Sequence, residues 1–131
     1  MKLVDTTFLI DLLRGDPSAV ATSEALEREG GAGTTSINLY ELFTGIYQIP
    51  GSDRRAEQAE RMVSRLEVFN LDEASAKSAA IMTALQRKSG ALLDVMDTLV
   101  GATGITHGCT TIITRNVRHF NKMPGIRTEQ Y

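Results

Sequence analysis

The sequence predicts a single α/β domain over residues 1–131, with a mainly parallel central sheet flanked by helices. Three observations predict it. Short apolar or β-branched runs alternate along the chain with longer segments of helical periodicity. The 131 residues, 42% hydrophobic and 23% charged, suffice for one hydrophobic core. No repeat, low-complexity stretch or linker divides them.

Residues 2–5 read as a buried strand and 6–14 as a helix that stops at Gly15, with Asp16-Pro17 as a turn. Residues 18–29 are helical up to Gly30-Gly31, and AGTTS at 32–36 is a short strand. From about 37 to 47, Leu39, Leu42, Phe43 and Ile46 recur at helical spacing until Ile49-Pro50-Gly51 breaks the pattern. Residues 53–66 form a charged amphipathic helix with Ala56, Ala59, Met62, Val63 and Leu66 facing inward. VFNL at 68–71 is a third strand, and 73–88 are helical again. The segment 94–107 has few polar positions, so it forms a central, buried helix whose Gly101, Ala102 and Gly104 permit close backbone approach. TTIIT at 110–114 is a strand of β-branched residues, followed by a short basic helix and a last strand near 126–128.

Composition narrows the function. No apolar run approaches the roughly 20 residues that span a membrane, and Arg14 and several acids interrupt the apolar N-terminal stretch early, which makes it a poor signal peptide. Cys109 is the only cysteine, so no internal disulfide forms; this fits a reducing cytoplasm. Cysteine and histidine are too scarce for a structural zinc site. The net charge of -2 disfavours a general, strongly basic nucleic-acid binder. The charge is uneven, with Arg115, Arg118, Lys122 and Arg127 near the C-terminus and acid-rich stretches upstream.

Four acids sit where helices begin: Asp5 after the first strand, Glu41 in TTSINLYELFTGI, and Asp94 and Asp97 in DVMDTLVGATG. In a parallel α/β sheet, sites form beyond the carboxyl ends of the strands. Asp5 lies at such an end, Glu41 near the start of the helix after the second strand, and Asn116 just past the strand at 110–114. The 94–107 helix turns tightly into that strand, which brings Asp94 and Asp97 to the same edge. Each acid also has a capping explanation: Asp5 on the first helix, and Asn38/Glu41 and Asp94/Asp97 at capping-box spacing. The joint pattern favours a site, because gathered carboxylates resist ionisation unless a cation holds them. That chemistry is a hard-metal site serving phosphodiester hydrolysis. Asp97 is the favoured ligand, with Asp94 as cap or supporting partner.

Arg115 and Arg118 are candidate phosphate contacts, with a solvated helix face as the alternative. Asp11 and Asp16 read as a solvated helix end and turn, Tyr40 and Cys109 as packing residues, and His107 as a turn residue. His119 reads as a phosphate contact or as packing near Phe120. No phosphate-binding glycine loop and no serine–histidine–aspartate set is present.

These motifs, in order and over nearly the whole length, resemble the PIN-domain ribonucleases of the VapC toxin class from bacterial and archaeal toxin–antitoxin pairs. VDTTFLIDLLRG is similar to the family's opening strand and helix, TTSINLYELFTGI to its second motif, and DVMDTLVGATGITHGCTTIITRNVRHFNKMPGI to the third and fourth. The resemblance implies that Asp5 and Asp97 ligate Mg²⁺ or Mn²⁺ and that Glu41 completes the pocket. Asn116 matches a fourth position where many relatives carry aspartate, and His119 stands where the family often has another acid. It further implies cleavage of structured RNA (tRNA or rRNA), a homodimer and a cognate VapB-type antitoxin. Two other readings remain open: a PIN-like module that binds RNA or protein without cutting, which Asn116 motivates, and a phosphotransfer enzyme with Asp5 as nucleophile. The second aspartate that haloacid-dehalogenase-like phosphatases place two residues on is missing from Asp5-Thr6-Thr7.

Overall fold

The computed structural model describes residues 1–131 and contains a five-stranded, wholly parallel sheet in the order β3-β2-β1-β4-β5. The strands are β1 (Lys2–Val4), β2 (Ala32–Thr35), β3 (Glu67–Phe69), β4 (Thr111–Ile113) and β5 (Arg127–Glu129). The helices are α1 (Thr6–Leu13), α2 (Pro17–Arg28), α3 (Ser36–Tyr47), α4 (Asp53–Val63), α5 (Glu73–Lys88), α6 (Val95–Thr106) and α7 (Val117–Phe120). The chain builds outward from β1 through β2 to β3, then returns to lay β4 on the other side of β1. The connection order therefore reverses at the β1–β4 boundary, and a crevice opens there at the carboxyl ends of the strands.

Side chains on a strand alternate between its two faces. Leu3 and Val4 accordingly enter different cores, both fully buried. Val4 joins Phe8, Leu9, Leu42, Ile46 and Ile113 under α1, α3 and α4. Leu3 joins Val100, Ile112, Phe120 and Met123 under α6 and α7. α6 is buried through its middle, at Thr98 and from Val100 to Gly104, while Val95 at its start is exposed. Its glycines are used for approach: a Cβ on Gly104 would lie 2.6 Å from Leu3 Cδ1 and 2.8 Å from the Cys109 carbonyl oxygen.

Three local expectations change. α3 begins at Ser36, capped by a Thr35–Asn38 box in which the Thr35 hydroxyl accepts from the Asn38 N–H and the Asn38 side chain accepts from the Thr35 N–H. Glu41 is therefore not a capping residue and lies one turn further along. α4 stops at Val63, and Ser64 to Leu66 turn into β3, which is shifted one residue toward the N-terminus of the expected run. Tyr40 does not pack; it is 65% exposed. No helix is long and apolar enough to cross a membrane.

Gly104→Ala tests the close approach of α6 to β1. Overpacking against a backbone carbonyl is expected to cost about 1–3 kcal/mol, read as a lower denaturation midpoint at unchanged slope.

Candidate active site

Asp5 is the residue where β1 becomes α1. Its backbone N–H still pairs with the Ile113 carbonyl of β4, and its side chain already caps α1. The carboxylate is 3% exposed. Oδ1 accepts from the Thr7 hydroxyl at 2.7 Å and the Phe8 N–H at 3.0 Å, while Oδ2 accepts from the Thr114 hydroxyl across the β1–β4 crevice. Burial pushes its pKa above the usual carboxylate range; these three donors oppose the shift, and the charge of Asp97 reinforces it.

Glu41 projects from α3 toward α1, where Oε1 accepts from the Thr6 hydroxyl at 2.9 Å. Thr6 in turn accepts from Asn38 Nδ2 at 3.0 Å, and Asn38 Oδ1 accepts from the Thr35 hydroxyl at 2.7 Å. A buried amide thus links the end of β2 to the acid. Burial raises the Glu41 pKa first; the Thr6 bond lowers it, and the charges of Asp97, Asp94 and Asp5 raise it further.

Asp97 stands in the first turn of α6, with Asp94 as the cap accepting from the Asp97 N–H at 3.0 Å. Burial again raises the Asp97 pKa; a contact from His119 lowers it, and Asp94 raises it. That contact runs from His119 Nδ1 to Asp97 Oδ2 at 2.8 Å. Three acids from three distant segments therefore meet at one edge of the sheet, each resisting ionisation.

Asn116 lies beside them at the start of α7. Its N–H donates to the Thr114 hydroxyl at 2.8 Å, while its side chain makes no capping bond. With Arg118, His119 and Gln130 it lines an open recess of about 290 Å³. Arg118 makes no ion pair. Arg115 is held by Asp11 at 3.0 Å and Asp16 at 3.2 Å, with its guanidinium 4.8 Å from the Tyr131 ring centre. Asp11 also accepts from the Tyr131 hydroxyl at 2.6 Å; burial and that bond push the tyrosine pKa up to about 12. Asp11 and Asp16 are thus anchors for Arg115, which the sequence reading did not anticipate. It also missed the hydroxyls of Thr6, Thr7 and Thr114 and the contact of His119 with Asp97. The available signal was the Asp5-Thr6-Thr7 run directly after a strand, which reads equally well as ordinary helix capping.

The donor set at this edge is oxygen-rich and carries more negative charge than the protein neutralises. That fits a hard divalent ion held by one or two carboxylates with several retained waters. It does not form a closed protein cage: no three His, Cys, Asp or Glu side chains converge tightly enough to hold an ion by themselves.

Comparison with known proteins identifies the family. The model of the PIN domain family matches residues 2–126. The chain belongs to the PIN-domain family. It is 30% identical over 130 residues to the Mycobacterium tuberculosis protein named ribonuclease VapC19, covering 97% of this chain and 98% of that one. It is 26% identical over 129 residues to the Shigella flexneri tRNA(fMet)-specific endonuclease VapC, covering 98% and 96%. Among solved structures, the DNA-bound VapBC of Salmonella typhimurium superposes with a TM-score of 0.87 at 26% identity, over 99% of this chain and 98% of that one. The VapBC2 structure from Rickettsia felis superposes at 0.90 over 99% and 98%; at 18% identity this likeness concerns the fold alone.

The raised pKa of Glu41 has a consequence for stability. A carboxyl group whose folded pKa exceeds its unfolded one stabilises the fold below the unfolded value, and that contribution is lost as pH rises through the folded value. Glu41→Gln, without divalent cation, is therefore expected to raise the thermal midpoint by a few degrees at about pH 7. The gain should vanish as the pH is lowered through the carboxylate range. Melting curves across pH at low ionic strength provide the check.

Proposed function

We propose that this chain is a divalent-metal-dependent endoribonuclease acting as the toxin of a toxin–antitoxin pair, with residues 1–131 as one catalytic domain. The observation that carries the reading is the convergence of Asp5, Glu41 and Asp97, whose charges oppose one another's ionisation at the sheet edge. Asp5 and Asp97 are the residues to hold Mg²⁺ or Mn²⁺. A divalent cation held there would supply a water of lowered pKa and polarise the scissile phosphodiester.

The protein's own groups perform the rest. Asp5 is fixed by three donors, so its carboxylate presents one geometry. Glu41, with one oxygen held by Thr6 and a raised pKa, is suited to take a proton from the attacking water. Asp94 caps α6 and thereby places Asp97. Asn116 offers an uncharged carbonyl or amide at the lip, and Arg118 a cation for the RNA backbone. Arg115 is committed to Asp11 and Asp16, so it acts by fixing the segment between β4 and α7.

Structured RNA with exposed single-stranded bases is the substrate class, because such bases are open to recognition. The Shigella relative's name makes transfer RNA the first substrate to test, ahead of ribosomal RNA. The VapBC complexes among its structural neighbours support a VapB-type antitoxin as partner. A homodimer and a cytoplasmic location complete the reading. Exposed Ile81 and Leu85, one helical turn apart on α5, offer apolar surface for a partner.

The test is cleavage of end-labelled transfer and ribosomal RNA by purified chain with Mg²⁺. Asp5→Asn and Asp97→Asn are each expected to lower the rate by about 100-fold or more with the fold retained, and chelation should stop cleavage outright. Undiminished cleavage by both variants would reject the assignment. Metal-dependent retention of RNA with no cleavage by the unsubstituted chain would favour a binding module, the reading that Asn116 motivates.

A further inference from the structure

His119 occupies a place in the site that the proposed reaction does not use. It lies on the four-residue helix α7 with its side chain 56% exposed, yet its Nδ1 sits 2.8 Å from Asp97 Oδ2. Asp97 is the less exposed partner, at 17%. The second oxygen of Asp97 takes no hydrogen bond from the protein. One carboxylate oxygen is thus engaged by a ring nitrogen, while the other is left available.

Two arrangements could follow from such a contact. In one, the imidazole competes for the carboxylate and keeps a cation out. In the other, it fixes the carboxylate plane and leaves the second oxygen presented for coordination. The geometry favours the second. Only one of the two oxygens is taken, and the contact lies on the α7 side of the carboxylate. Partners that hydrogen-bond a ligating carboxylate fix its orientation, and their loss typically lowers metal affinity by about 10–100-fold. The other two acids are likewise held by hydrogen-bond donors. Glu41 has one oxygen held by Thr6, and both oxygens of Asp5 are oriented by Thr7, Phe8 and Thr114. Asp97 lacks a threonine partner, and His119 fills that role from across the crevice.

We infer that His119 is the positioning residue for Asp97, donating Nδ1–H to Oδ2 and thereby turning Oδ1 toward a divalent cation. The inference rests on the metal-site reading above and extends it to a residue outside the acidic set. It also assigns the ring tautomer, with the proton on Nδ1 in the neutral form.

Titration of the purified full chain with Mn²⁺ alone, followed by the paramagnetic signal of free Mn²⁺, tests it without any RNA. His119→Ala should raise the Mn²⁺ dissociation constant by about 10-fold or more. His119→Asn, whose amide nitrogen sits on Cγ as Nδ1 does and can still donate, should recover most of that loss. The melting temperature of the metal-free protein should be nearly the same in both variants, which a merely structural role would not produce. Mn²⁺ binding by His119→Ala that equals or exceeds that of the unsubstituted chain would overturn the inference. So would failure of asparagine to improve on alanine. Asp97→Asn separates the two levels of the argument. If it abolishes binding while His119→Ala does not weaken it, the metal site stands and the positioning role falls. If the unsubstituted chain binds no Mn²⁺, both fall together.

Discussion

The buried carboxylate of Asp5 joins the sheet to the site. The Asp5 backbone N–H pairs with β4 at the end of β1, while its side chain caps α1 and accepts a hydroxyl from the residue after β4. An ionised carboxylate removed from water is costly unless it is paired or hydrogen-bonded. Here a backbone N–H and two threonine hydroxyls offset the cost without supplying a positive charge. The same bonds that bring β1, α1 and β4 together at the switch point therefore also aim an anionic oxygen into the crevice. Fold and site share a set of interactions, so the site needs no mobile loop to assemble it.

Neutral donors have a further consequence. Had lysine or arginine paired with Asp5 or Glu41, the negative charge would have been cancelled inside the protein. Threonines and an asparagine instead hold these acids in place and leave their mutual repulsion intact. Asn38 illustrates the economy. It completes the cap of α3 and passes a hydrogen bond through Thr6 to Glu41, and it is 1% exposed. Arg115 is tied to Asp11 and Asp16 rather than to these acids. The outcome is a site in which Asp5 and Glu41 keep their charge, an arrangement that fits a divalent ion.

Much of this was legible from local pattern. The run of β-branched residues before Arg115, the apolar stretch after Asp97 and the glycines at helix ends place β4, α6 and the helix stops close to where the structure has them. The alternation of strands and helices implied a parallel sheet, and hence which edge the acids would share. Long-range partners were not legible. Thr35/Asn38 and Asn38/Glu41 both have capping-box spacing, so local pattern alone does not decide which pair starts α3. Asp11 and Asp16 carry no local mark of their tie to Arg115, about 100 residues away along the chain. His119 meets Asp97 only because a four-residue helix follows β4 across the crevice, and no periodicity encodes that encounter.

The central claim is that the protein leaves the charge of these acids unbalanced and an external divalent cation balances it. Site-resolved carboxyl NMR of Asp5, Glu41 and Asp97, titrated with acid in the absence and presence of Mg²⁺, measures this directly. The account requires all three to titrate above the ordinary carboxylate range without the ion, and Asp5 and Asp97 to fall markedly when it is added. Ordinary titration in both conditions, or raised values that Mg²⁺ leaves untouched, would contradict it.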